Sequence, residues 1–276
     1  MRETFYGRFT RLSAERGPLC VGLDPTPDVL RHWGLPDSAA GAASLTEAVV
    51  ASTADLVAVF KPQSAFFERF GPDGVRALHD SVGLIKDAGC LCLVDVKRGD
   101  IGSTVHGYAS AYLRPGGGFE ADAITLHAFL GLDALEPAFT ACFESGTAVF
   151  VVVLSSNPEG RSIQTARTDD GRTVVELLVD GIVQWNLESN DPVGPVGAVL
   201  GVTSGESAAL AARLSNGMIL APGLGAQGGR ASDVEAMLEA APGRVLPSAS
   251  RSVLMQGPSR DYLRVAVASL QESLRP

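Results

Sequence analysis

Three charged residues stand close together after an apolar stretch in the first half of the chain. Asp95, Lys97 and Asp100 follow residues 91–94, which have the composition of a buried strand. Side chains alternate along an extended chain, so Asp95 and Lys97 point the same way, and Gly99 permits a turn that re-aims Asp100. Two carboxylates beside an ammonium group can hold and move a proton. Taken alone, such a group is more commonly a surface ion pair at a strand end.

The rest of the chain alternates apolar runs with helical patterns. Strands buried on both faces, as in a parallel sheet covered by helices, read as continuous apolar runs. Such runs predict strands at 18–24, 56–60, 90–97, 121–127, 147–154, 196–202, 218–220 and 245–246, after a polar N-terminal segment. Helices are predicted at 44–56, 72–88, 103–113, 132–145, 173–187, 206–214, 232–240 and 258–274, the first of them capped by Ser44 with Glu47 as its capping-box partner.

This order of elements predicts a single α/β domain spanning residues 1–276, a (β/α)8 TIM barrel. Such a barrel typically needs about 250 residues. An open, doubly wound sheet is the alternative, but it usually carries a glycine-rich turn after the first strand. This chain has Asp24-Pro25-Thr26-Pro27 at that point. The barrel is therefore favoured, and no linker or internal repeat divides the chain.

Composition excludes several classes of function. A net charge of −9 argues against a general nucleic-acid binder, which normally shows a basic face. The N-terminus lacks a signal-peptide pattern, and no apolar run approaches the roughly 20 residues of a membrane span, so a cytoplasmic protein without a membrane partner is expected. The four cysteines lack metal-ligand spacing and are expected to be buried, reduced thiols.

Polar residues follow the predicted strands at one end of the barrel, where barrel enzymes place their active sites. A surface-charge explanation would scatter them over both ends. Lys61 follows the second strand, beside Asp95 and Lys97 of the third. Burial would weaken each lysine's preference for its charged form and each carboxylate would restore it, so Lys97 is expected to stay protonated and act as an acid. The residues at these strand ends are Asp24, Lys61, Asp95, Lys97, Ser156, Pro222 and Arg251.

The last two strands carry features of a phosphate site. A glycine-rich loop, 220–229, follows the seventh strand, and Arg251 follows the eighth. Loops after these strands commonly bind phosphate in TIM barrels. A glycine-rich loop alone is a weak signal, but its pairing with an arginine at this position indicates an anionic ligand.

Five segments together resemble orotidine 5′-phosphate decarboxylases, especially the longer bacterial branch typified by mycobacterial enzymes. They are Asp-x-Lys-x-x-Asp-Ile at 95–101, Leu-Asp-Pro at 23–25, Phe-Lys-Pro-Gln at 60–63, Ser-Asn-Pro-Glu-Gly at 156–160 and Pro-Gly-x-Gly-Ala-Gln-Gly-Gly at 222–229. The resemblance implies decarboxylation of orotidine 5′-monophosphate to uridine 5′-monophosphate in pyrimidine biosynthesis, with no cofactor and no metal.

The same resemblance implies roles for individual residues. Lys61, Asp95, Lys97 and Asp100 would form the catalytic tetrad, with Asp95 against the substrate carboxylate and Lys97 protonating C6. In the family the second aspartate crosses a dimer interface, so a homodimer is expected in which Asp100, Ile101 and Thr104 complete the partner's site. Substrate-binding roles fall on Asp24 at the ribose, Ser156 at the pyrimidine, Gln227 and Arg251 at the phosphate, and Pro222 and Gly228 in the glycine-rich loop.

Two positions depart from the family pattern. The segment 126–131 lacks the usual proline-tyrosine pair, and we interpret His127 in it as structural. Ser250 precedes Arg251 where many relatives have glycine, which bears on how the phosphate approaches.

Two alternatives stay open. One is a sugar-phosphate decarboxylase or aldolase of a related barrel, although a Schiff-base lysine needs a depressed pKa and Lys97 lies between acids. The other is a non-catalytic phosphate-binding module, which would need neither lysine.

Overall fold

Eight parallel strands form a closed barrel in the computed structural model, which describes residues 3–202, 205–224 and 231–274. Each strand pairs with the next along the chain, and β8 closes the barrel against β1. The predicted TIM barrel is confirmed. The strands are β1 (Cys20–Leu23), β2 (Val59–Pro62), β3 (Leu91–Arg98), β4 (Ala123–His127), β5 (Ala148–Leu154), β6 (Val196–Leu200), β7 (Ile219–Pro222) and β8 (Val245–Ala249).

Helices pack around this barrel and supply its outer layer. They are α1 (Phe5–Arg16), α2 (Pro27–His32), α3 (Ala39–Thr53), α4 (Ser64–Glu68), α5 (Gly71–Asp87), α6 (Gly102–Tyr112), α7 (Glu136–Ser145), α8 (Arg161–Gln164), α9 (Val174–Asn186), α10 (Ser207–Arg213), α11 (Ala231–Ala240), α12 (Arg251–Leu254) and α13 (Arg260–Ser273). Short 3-10 turns cover Ala54–Leu56, Asp133–Leu135 and Pro158–Gly160. No helix in the described ranges has the length and apolar character needed to cross a membrane.

The predicted start of α3 was wrong. Ser44 lies inside the helix, and Ser38 is the N-cap, its hydroxyl accepting a hydrogen bond from the Gly41 amide at 3.2 Å. The Ser44 and Glu47 capping box is therefore absent. Helix α3 ends at Thr53, a 3-10 turn follows to Leu56, and β2 runs from Val59 to Pro62 rather than from 56 to 60.

The N-terminal segment, predicted only as polar, forms α1 and closes the base of the barrel. Its buried face consists of Phe5, Phe9 and Leu12, and the Phe5 ring meets the Phe150 ring edge-on at 5.9 Å between centroids. Arg8 on the same helix forms an ion pair with Asp122 just before β4. The end of the barrel opposite the predicted site is thus plugged by apolar side chains.

Inside the barrel, apolar and polar side chains occupy different heights. Val59, Leu93 and Ala123 belong to the apolar cluster that α1 closes. Two residues further along the same strands lie Lys61, Asp95 and Thr125, all buried. Alternation along each strand therefore stacks a polar layer upon an apolar one, at the carboxyl end of the sheet. The four cysteines are buried and free, as predicted.

Candidate active site

The Asp95 carboxylate lies at the centre of the polar layer. One oxygen, Oδ1, accepts from Lys97 Nζ at 2.6 Å, and the other, Oδ2, from Lys61 Nζ at 3.3 Å. Lys61 and Asp95 are each 6% exposed, whereas the Lys97 side chain is 41% exposed and reaches the mouth of the barrel. Lys97 Nζ meets the Asp95 carboxylate, as expected, although the Lys97 backbone departs from the extended conformation on which that expectation rested.

Opposite charges outweigh desolvation in this group. Burial by itself would lower the pKa of Lys61, but the carboxylates of Asp95 and Asp24 raise it above its usual value. Burial would likewise raise the pKa of Asp95, and the charges of Lys61 and Lys97 hold it well below the usual range. The buried carboxylate is therefore ionised and Lys61 is cationic.

Two further donors complete the shell of Asp95, and sequence reasoning assigned neither to the site. Gln63 Nε2 donates to Oδ2 at 2.9 Å, and Thr125 Oγ1 donates to Oδ1 at 2.6 Å. A signal for both exists in the sequence. Gln63 lies two residues after Lys61, on the same side of the extended chain, and Thr125 is a polar residue inside an apolar run.

An irregularity in the pairing of β3 with β4 aims these side chains. Val94 pairs with Ile124 and Arg98 with Leu126. Between these two pairs β3 advances by four residues and β4 by only two. Such a bulge bends the strand and redirects side chains. Lys97 lies within it in the left-handed region, at φ = 42°.

The turn after β3 carries the remaining predicted tetrad member away from this group. Asp100 Oδ1 accepts from the Ile101 amide at 2.8 Å, and among the described residues no ion pair joins Asp100 to Lys61 or Lys97. Ile101 and Thr104 are exposed beside it. One chain thus brings together Lys61, Asp95 and Lys97, and holds Asp100, half-buried, in the turn that follows them.

Asp24 follows β1 at the same end of the barrel. Its Oδ1 is buried and has no hydrogen-bond partner among the described residues. A covered carboxylate oxygen without a donor is unfavourable unless a ligand hydroxyl or amine satisfies it. Asp24 therefore faces a position where a polar ligand group would be stabilised.

The residues predicted to contact pyrimidine and phosphate lie at the ends of β5, β7 and β8. Ser156 is exposed in the loop after β5, Pro222 is half-buried at the end of β7, and Arg251 is exposed as the first residue of α12. Gly22 of β1 allows the close approach of Ser250, since a Cβ at Gly22 would lie 2.7 Å from the Ser250 Cβ. Gln227 and Gly228 lie outside the described residues.

His127 ends β4 at the same mouth and is exposed. Partial desolvation and the charge of Lys97 lower its pKa. No group of three or more His, Cys, Asp or Glu side chains in the described part of the chain is arranged to hold a metal ion.

Charged groups at the carboxyl ends of barrel strands, with an arginine after the eighth, define an enzyme-type site of the TIM-barrel class. A sequence model of the orotidine 5'-phosphate decarboxylase / HUMPS family matches residues 17–264, and the chain belongs to this family.

Individual relatives agree with this placement. The chain is 50% identical over 264 residues to the orotidine 5'-phosphate decarboxylase of Salinispora arenicola, covering 96% of this chain and 94% of the relative. It is 45% identical over 267 residues to that of Myxococcus xanthus, covering 96% and 93%.

Solved structures share the whole fold. A candidate orotidine 5'-phosphate decarboxylase from Streptomyces avermitilis has a TM-score of 0.92 at 42% identity, with 99% of this chain and 95% of that chain covered. The OMP decarboxylase of Leishmania donovani has a TM-score of 0.78 at 28% identity, with 98% and 96% covered.

Proposed function

We propose that this chain converts orotidine 5′-monophosphate to uridine 5′-monophosphate and carbon dioxide at the site centred on Asp95. Membership of the family and the high identity to relatives named for this activity support the reaction. The observation that carries the assignment to this site is a buried, ionised carboxylate held between two lysines. One of these lysines, Lys97, extends to the barrel mouth, where a substrate can reach it.

The chemistry follows from those charges. The substrate carboxylate at C6 lies against Asp95, and repulsion between the two anions raises the energy of the bound ground state. As the bond from C6 to the carboxylate breaks, its electron pair stays on C6 and carbon dioxide leaves. The Lys97 ammonium stabilises this developing charge and transfers a proton to C6, while Lys61 keeps Asp95 ionised. Lys97 then regains a proton from solvent, so no cofactor or metal is required.

The other strand ends hold the rest of the nucleotide. Asp24 accepts from ribose hydroxyls, which supply the donor its buried oxygen lacks. Ser156 contacts the pyrimidine, Gln227 and Arg251 bind the phosphate, and Pro222 and Gly228 belong to the substrate-binding loop beside them. Phosphate binding remote from C6 supplies energy that can be used to close and orient the site.

A second copy of the chain completes each site. Three large apolar side chains are exposed on the loops after β3 and β4, namely Ile101 (59%), Phe129 (80%) and Leu130 (57%). The two loops touch, because a Cβ at Gly99 would lie 2.5 Å from the His127 carbonyl oxygen. Pairing of two copies through this face would bury the apolar side chains and carry Asp100, Ile101 and Thr104 to the partner's site. The proposed protein is therefore a cytoplasmic homodimer that acts on a small nucleotide.

Direct turnover tests the reaction. Purified protein incubated with orotidine 5′-monophosphate and a chelator is expected to release uridine 5′-monophosphate and carbon dioxide in equal amounts, followed as falling pyrimidine absorbance and by product analysis. A phosphorylated keto sugar serves as the competing substrate. Turnover of the sugar phosphate alone, or of neither compound by a folded dimer, would contradict the proposal.

A further inference from the structure

We propose that the Thr125 hydroxyl is a positioning group for the reaction, fixing the Asp95 carboxylate and the Lys97 backbone through one oxygen atom. The proposal rests on the proposed function. Thr125 touches neither reacting atom and acts through the two residues that do.

The direction of both hydrogen bonds is fixed by their partners. Thr125 Oγ1 donates to Asp95 Oδ1 at 2.6 Å and accepts from the Lys97 amide at 2.9 Å. A carboxylate only accepts and an amide only donates, so the hydroxyl has one possible orientation. Thr125 is fully buried in β4. A water molecule could take over the two hydrogen bonds of its hydroxyl only if a cavity were open beside it.

The hydrogen bond from the Lys97 amide to Thr125 stabilises an unfavourable backbone conformation. Lys97 adopts φ = 42° inside the bulge of β3, a conformation unfavourable for a residue with a side chain. Its amide bonds to the Thr125 hydroxyl instead of continuing the ladder of strand pairing. The hydroxyl thereby stabilises the backbone conformation in which Lys97 Nζ contacts Asp95.

The second bond matters when Lys97 reacts. Asp95 Oδ1 is shared between Lys97 Nζ, at 2.6 Å, and the Thr125 hydroxyl. When Nζ moves toward C6 and gives up its proton, Oδ1 loses its charged donor and retains the neutral one. Thr125 therefore keeps the carboxylate in place during the step in which Lys97 leaves it.

Substitution of the hydroxyl by a methyl group of similar shape tests the proposal. In Thr125→Val, kcat for orotidine 5′-monophosphate is expected to fall on the order of ten- to a hundredfold, since a hydrogen bond to a charged group is lost. The dissociation constant for the product nucleotide should stay within about twofold, because the binding groups are unaltered. Thr125→Ser keeps the hydroxyl and should recover most of kcat.

Thr46→Val is the matched control. Thr46 is equally buried, and among the described residues its hydroxyl bonds only the Ala42 carbonyl of its own helix, at 3.0 Å. The same substitution there should leave kcat unchanged.

Several results would overturn the proposal. They are an unchanged kcat in Thr125→Val, a loss of nucleotide affinity as large as the loss of kcat, or a Thr125→Ser variant as defective as Thr125→Val. Should Thr125→Val not fold, Thr125→Ala is the second hydroxyl-free variant, judged by the same criteria. The wild-type protein is measured first, and its failure to turn over the nucleotide would refute the proposed function itself.

Discussion

Asp95 is the most heavily partnered side chain of the site. Lys61 and Gln63 donate to one of its oxygens, and Lys97 and Thr125 to the other. A buried carboxylate persists as an anion only when its charge is compensated in this way. Removal of any one donor therefore acts on the carboxylate, and through it on the lysine that reacts.

Acid stability should depend on Asp95. Because its pKa is held below the unfolded value of about 3.9, its contribution to stability is complete above that pH and is lost as the pH falls toward the folded value. Asp95→Asn also removes the carboxylate that is ion-paired with the buried Lys61, at a cost on the order of 3 kcal/mol. The variant should be less stable near neutrality and lose less stability on acidification, measured by urea unfolding at several pH values.

Asp28→Asn is the control for that measurement. Asp28 pairs with Arg31 on the surface, with its side chain 83% exposed, so replacing it should change the free energy of unfolding little. Parallel stability curves for Asp95→Asn and wild type would contradict the assigned charge of Asp95.

At the scale of elements, the bulge and turn at the end of β3 decide which way its charges point. The turn packs directly on β4, and Gly99 is the residue at the contact. Gly99→Ala forces the turn away from the His127 carbonyl, and with it Asp100 and Ile101. We expect lowered activity and weakened dimer formation, measured by turnover and by sedimentation.

Gly83→Ala offers a comparison within α5. A Cβ there meets nothing within 4 Å, and helix propensity favours alanine by about 0.5–1 kcal/mol. This variant should keep full activity and dimerisation. Wild-type behaviour of Gly99→Ala would show that the turn tolerates displacement.

The strands could be predicted, and so could the meeting of Lys61, Asp95 and Lys97 at one end of the sheet, because each follows from a local pattern. Apolar runs marked the strands, and the residue after each run marked the mouth of the barrel. The bulge could not be predicted, since it depends on the register between β3 and β4. Thr125 and Gln63 were missed for the same reason, because their importance lies in contact with Asp95 across strands. Helix α1 could have been predicted, since Phe5, Phe9 and Leu12 stand at i, i+4 and i+7, the spacing of one helix face, within a segment treated only as polar.

At the scale of the whole molecule, the barrel supplies two faces with different roles. Helix α1 seals one end, and the other presents the charges with an exposed apolar surface at its rim. That surface, and the lack of an ion pair between Asp100 and Lys61 or Lys97 among the described residues, support the shared sites that the family resemblance implies.

Mixing inactive variants tests shared sites. In a mixed dimer of Lys97→Ala and Asp100→Ala, one site lacks both residues and the other is intact. Random subunit exchange makes half the dimers mixed, so about a quarter of wild-type activity should return. Lys97→Ala mixed with Lys61→Ala should recover nothing, because both residues belong to the same chain's site. Equal recovery in the two mixtures, or none in the first despite exchange, would contradict sharing.

The most direct test of the reaction at Asp95 and Lys97 is the rate of nucleotide decarboxylation with Lys97 replaced. Lys97→Ala should reduce kcat/KM by about 10²–10⁴-fold or more, since a positioned proton donor typically accelerates a reaction by that factor. Lys86→Ala, which removes a lysine paired with Glu120 outside the barrel, should keep the wild-type rate. A Lys97→Ala protein that remains within about tenfold of wild type would contradict the central role given to this lysine.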